Sequence, residues 1–90
     1  MLTDKQTKQF KKDYDRMKKR GKDMDKLKKI MDMLIGGLPL PVARRDHALT
    51  GNLKGYRNCH IEPDWVLIYA VRDNDLILFR TGTHADILDG

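Results

Sequence analysis

The sequence predicts an α+β fold, an N-terminal helical hairpin packed on a small antiparallel β-sheet. Apolar residues recur at helical spacing up to about residue 35, and three apolar runs after residue 55 have the length of strands. A connector punctuated by Pro and Gly separates the two regimes. Neither layer can bury its apolar side alone, so the hairpin must cover one face of the sheet.

The opening "MLTDKQT" is polar, and local pattern leaves open whether residues 2–7 start a helix or form a short edge strand. Phe10, Tyr14 and Met17 fall at i, i+4 and i+7, one stripe of a helix running to about Arg20. Gly21 suits a helix stop and Asp23 an N-cap. The second helix carries Met24, Leu27, Ile30, Met31 and Leu34 on one face and ends at Gly36-Gly37. Its methionines read as adaptable core packing. "LPLPVARRDHALTGNLKG" is an irregular connector, because Pro39 and Pro41 forbid helix. Strands are expected over 56–61, 65–71 and 76–82, with Pro63 in the first turn and "RDND" as the second, tight hairpin. Short links between consecutive strands imply antiparallel pairing.

Ninety residues make one domain, 1–90, with a modest core. A chain 40% hydrophobic and 34% charged is globular, not a disordered tail. No apolar run approaches the ~20 residues of a membrane span, so no membrane partner is expected. The N-terminus is too polar for a signal peptide, and the single Cys59 excludes an internal disulfide, which fits a reducing cytoplasm. Net charge is +5, unevenly spread: residues 1–30 hold 12 Lys/Arg against 5 Asp, and the rest hold 6 against 8 acids. That basic half could suit a polyphosphate backbone or an acidic partner, but charge alone favours a solvated lysine-rich helical face.

Several residues do not suit a plain sheet. Arg80 interrupts "LILFRTGTH", and strand alternation puts it on the face of Leu76 and Leu78. Antiparallel pairing should gather Asp64, Trp65, Arg80 and His84 at one end of the sheet, with His60 close by. His47 lies in the connector leading there. Histidine suits proton transfer at neutral pH, and an adjacent Arg suits charge developing on a phosphoryl group. Trp65 offers either a face for base stacking or a core side chain. A zinc site built from the histidines and Asp64 lacks tight ligand spacing. Cys59 and His60 point to opposite faces of a strand, so Cys59 reads as core and not as a nucleophile. No Gly-rich phosphate loop is present.

"KDMDKLKKIMDMLI", "LPLP", "DHALTGNLKGYRNCHIEPDWVLIY" and "LFRTGTH" together resemble the YafQ-type toxins of the RelE/ParE superfamily, nearly end to end. The resemblance implies a RelE-like fold and a metal-independent, cofactor-free endoribonuclease that cleaves mRNA in the A site of the 70S ribosome. It also implies inhibition by a cognate antitoxin of DinJ/RelB type carrying an acidic segment. His47, His60, Asp64, Arg80 and His84 match positions implicated in family activity. Trp65, Lys54, Arg57 and Leu88 stand where substrate contacts are expected. Leu88 replaces an aromatic that family members often place there, so it offers apolar contact. A binding toxin of ParE type, or a decayed antitoxin partner, is the alternative. The histidine set argues against both.

Overall fold

The computed structural model describes residues 1–88, Leu88 by its backbone alone. Its elements run β1 (Thr3–Gln6), α1 (Lys8–Lys19), α2 (Met24–Ile35), β2 (His47–Ala48), β3 (Arg57–Glu62), β4 (Trp65–Arg72), β5 (Asp75–Gly82) and α3 (His84–Leu88). The five strands lie in the order β1-β5-β4-β3-β2. β2 to β5 pair antiparallel, as the short links require. β1 runs parallel to β5, a pairing outside the all-antiparallel expectation.

Both helices start where side chains can satisfy free backbone amides. Thr7 Oγ1 accepts from Phe10 N and donates to the Phe79 carbonyl, so one hydroxyl caps α1 and fixes it to β5. Asp23 accepts from Asp25 N at the start of α2. After α1 the chain reverses at Gly21, whose φ of 80° lies in the left-handed region. The turn between β4 and β5 likewise sets Asp73 at φ 55°.

The core lies between the hairpin and one face of the sheet. Phe10, Met17, Leu27, Ile30 and Leu34 come from the helices; Cys59, Ile61, Trp65, Leu67, Tyr69, Leu76 and Leu78 come from the strands. Each large apolar side chain so buried stabilises the fold by about 1.5–3 kcal/mol before entropy is charged. Positions 59, 61, 65, 67 and 69 share one parity within their strands, so the opposite parity faces away from the helices. That outward face carries the chemistry.

Candidate active site

Register defines two cross-strand rows on the outward face. His47 lies opposite Asn58, Asn58 opposite Ile68, and Ile68 opposite Arg80. In the next row His60 lies opposite Val66, and Val66 opposite Gly82. His47, Asn58, His60 and His84 line one cleft of about 290 Å³, floored by Val66 and Ile68. His60 also borders a second cleft of about 310 Å³, beside Arg44 and Arg45. The sheet therefore brings all three histidines together, although 13 and 24 residues separate them in sequence.

Each histidine has a distinct proton arrangement. His84 Nδ1 lies 2.7 Å from Asp64 Oδ1, and the His84 amide donates to the same oxygen. An ionised carboxylate only accepts, so Nδ1 carries the proton and Nε2 is left for chemistry. The His84 ring and amide together hold the Asp64 carboxyl below the ordinary carboxylate range. His47 Nδ1 sits 2.7 Å from the Arg45 carbonyl, which also only accepts, so its free nitrogen is again Nε2. His60 differs: its Nδ1 is buried with no partner among the described residues. Desolvation, then the neighbouring His84, Arg45 and His47, lower its pKa from 6.5, and the Arg44 backbone opposes weakly. The His60 and His84 rings stand 5.7 Å apart. A neutral imidazole thus faces one oriented by a carboxylate.

Arg80 does not follow strict alternation. Tyr69 pairs with Leu78 and Ile68 with Arg80, so Phe79 is an extra residue in β5. A bulge of this kind re-aims the residue after it. It takes Arg80 off the face of Leu76 and Leu78 and pairs it with Ile68, which lines the histidine cleft, although Arg80 itself stands beside that cleft and is not part of its lining. Its guanidinium turns to α1, where Nε donates to Asp13 Oδ2 at 2.7 Å and Nη2 to Oδ1 at 3.3 Å. Nη1 has no protein partner among the described residues.

Two expected substrate contacts are corrected. Trp65 is 0% exposed and packs in the core, its Nε1 donating to Thr81 Oγ1 at 2.9 Å. It has no face to offer a base. Arg57 shares the parity of Cys59 and Ile61, opposite to His60, and its Nε donates to Asp46. Tyr69 Oη donates to the same Asp46 oxygen, so Arg57 anchors the residue before His47 instead of meeting substrate in the cleft. Lys54 is exposed, next to Leu53 at the cleft wall. The side chain of Leu88 lies outside the described residues. Asn58 was missed, although its spacing of two from His60 was the signal. Its Oδ1 is buried in the same cleft without a partner among the described residues. No three His, Cys, Asp or Glu side chains among the described residues are grouped to hold a metal ion.

Residues 2–89 match the family model described as bacterial toxin of type II toxin-antitoxin system, YafQ. The mRNA interferase toxin YafQ of Escherichia coli K12 is 54% identical over 78 residues, covering 86% of this chain and 85% of that one. The crystal structure of YafQ from E. coli BL21(DE3) superposes with a TM-score of 0.91 at 47% identity, covering all of both chains. In the E. coli DinJ-YafQ complex the matching chain gives 0.90 at 48% identity, over 97% of this chain and 98% of that one. With that fold, the clustered histidines and a family match over almost its whole length, the chain belongs to the YafQ family of type II toxin-antitoxin toxins.

Proposed function

We propose that this toxin is a metal-independent endoribonuclease that cleaves mRNA in the ribosomal A site through attack by the substrate's own 2′-OH. The observation that carries the reading is the pairing of a neutral, partly desolvated His60 with the Asp64–His84 couple across one cleft. His60 takes the 2′-OH proton as the 2′-oxygen bonds to phosphorus. The bond from phosphorus to O5′ breaks, and protonated His84 Nε2 donates to that oxygen. Asp64 fixes the His84 tautomer and its aim. Arg80, through its free Nη1, faces the negative charge that builds on the phosphorane oxygens. His47 Nε2 supports the phosphate or a proton at the cleft's other wall. Asn58 Oδ1, an acceptor without a donor among the described residues, suits the ribose hydroxyl.

The partner that restrains the toxin is a DinJ-like antitoxin with an acidic segment, matched to the excess of seven positive charges in residues 1–30. The same charge favours docking on ribosomal RNA, which supports a cytoplasmic site of action. Cys59 takes no part, since burial pushes its thiol up to about 12.

The test is a programmed ribosome carrying a message with a single 2′-deoxy nucleotide 5′ to the scissile bond. Cleavage there should stop. Unmodified message should give a 2′,3′-cyclic phosphate upstream and a free 5′-OH downstream, with chelator present or absent. A cut deoxy substrate, or a 5′-phosphate on the downstream fragment, overturns the mechanism.

A further inference from the structure

We infer that Asp13, a buried carboxylate on α1, is a positioning residue for Arg80: it holds the guanidinium so that only its Nη1 edge is presented to the phosphate. The inference rests on the role given to Arg80 above.

Asp13 occupies a place where an apolar residue is expected. It falls between Phe10 and Met17 on the core-facing stripe of α1, and it is 0% exposed. A carboxylate in that position is costly unless hydrogen-bonded donors surround it. Four side-chain or backbone groups do so. Arg80 Nε and Nη2 approach at 2.7 and 3.3 Å, Gln9 Nε2 at 3.0 Å and Thr81 N at 3.3 Å, while Arg16 Nη1 stands 3.7 Å away.

These contacts are arranged around one point in β5, the bulge. Asp13 grips both the side chain of Arg80 and the backbone amide of the next residue, immediately after the extra Phe79. Thr81 in turn donates to the Val66 carbonyl and accepts from Trp65, so the far side of the bulge is fixed as well. An arginine has many rotamers, and an unheld one would reach a phosphoryl oxygen only part of the time. The paired Nε/Nη2 edge leaves the head one orientation.

A toxin purified from its antitoxin complex, assayed on programmed ribosomes in a single turnover, tests this. Asp13→Asn keeps the size and removes the charge. The cleavage rate constant, per folded molecule by unfolding assay, should fall at least ~10-fold, since a misplaced group costs that and more. Affinity for the programmed ribosome should stay within ~3-fold, because the same surface is presented. In an Arg80→Ala background the substitution should cost nothing further in rate. An unchanged rate, or an equal loss with and without Arg80, overturns the inference. Asp13→Glu decides the matter if Asp13→Asn unfolds: it retains the ion pair but displaces the head, so a loss of rate supports positioning and wild-type rate refutes it. Arg80→Ala alone reads the parent assignment. Full activity there removes the role of Arg80 itself, whereas an inactive Arg80→Ala beside a fully active Asp13→Asn removes only the inference.

Discussion

The two faces of this sheet are made by the same strands and have opposite characters. Towards the helices, Cys59, Ile61, Trp65, Leu67 and Tyr69 are buried, and Trp65 Nε1, Tyr69 Oη and Thr81 Oγ1 all have partners. Towards the cleft, Asn58 Oδ1 and His60 Nδ1 are buried and unpaired among the described residues. A well-satisfied face supplies stability. Unmet polar atoms on the other lower it, by about 1–3 kcal/mol each, and leave bonding capacity for a substrate. Parity, shifted once at the Phe79 bulge, decides which role a residue receives, so substitutions one position apart should fail in different ways.

The largest effect is expected on the helix face. Trp65→Ala removes a fully buried indole and the donor that Thr81 Oγ1 accepts from, and should cost ~3–5 kcal/mol in urea unfolding. For a domain with ~5–15 kcal/mol in total, that approaches unfolding. On the other face, His84→Ala should cut cleavage by at least ~10² while changing stability by only ~0.5 kcal/mol. A stable, fully toxic His84→Ala would break the distinction between the faces.

Arg80→Lys comes next, with a loss of at least ~10-fold in the cleavage step. Lysine keeps the charge but cannot hold Asp13 through one edge and offer a second donor elsewhere. Wild-type turnover would make Arg80 purely structural. The pH profile sharpens the account of His60. Its folded pKa lies below 6.5, so a base there is still mostly neutral at 6.5 and gains its proton only at lower pH, and the acid limb of the rate profile should have its midpoint under 6.5. Between the two values the unfolded chain binds more protons, so stability should also fall as pH drops through that window. A limb at or above 6.5 would exclude His60 as the base.

Much of this was legible from sequence because periodicity is a local signal. Phe10, Tyr14 and Met17 marked α1, and the apolar run after Trp65 marked β4. Trp65 itself was legible as core, since Leu67 and Tyr69 share its parity. Arg57 could have been excluded in the same way, being of opposite parity to His60. β1 gave no signal because all four of its residues are exposed and it is held by backbone pairing with β5, plus Leu2 N to the Ile35 carbonyl. The face of Arg80 was hidden because it depends on one extra residue, and the contacts that fix that bulge come from Asp13, 67 residues away.

The smallest effect expected is at the link that joins the two faces. Asp86 of α3 accepts from Arg20, the residue that caps the C-terminus of α1, at 2.7 and 3.0 Å and from Thr83 N and Oγ1, both at 3.0 Å. It thereby ties the segment that begins with His84 to the helix layer. Gly82 leaves the room, since a Cβ there would stand 3.0 Å from that of Asp86. Arg20 is largely solvated, so the pair adds little to stability and is screened by salt. Asp86→Asn should therefore cost less stability than any core truncation. Its rate loss should stay under ~10-fold, short of the ~10² that a full 1 Å misplacement can cause. The Arg20 contact holds the Asp86 carboxyl well below its ordinary 3.8. A depressed folded pKa means that the charge-dependent stabilisation is present above ~3.8 and is lost as pH falls below it. Wild type and Asp86→Asn should thus differ in urea midpoint at neutral pH and draw together in strong acid. A gap that persists undiminished there would mean that Asp86 holds α3 by packing against Gly82, and that the ion pair is incidental.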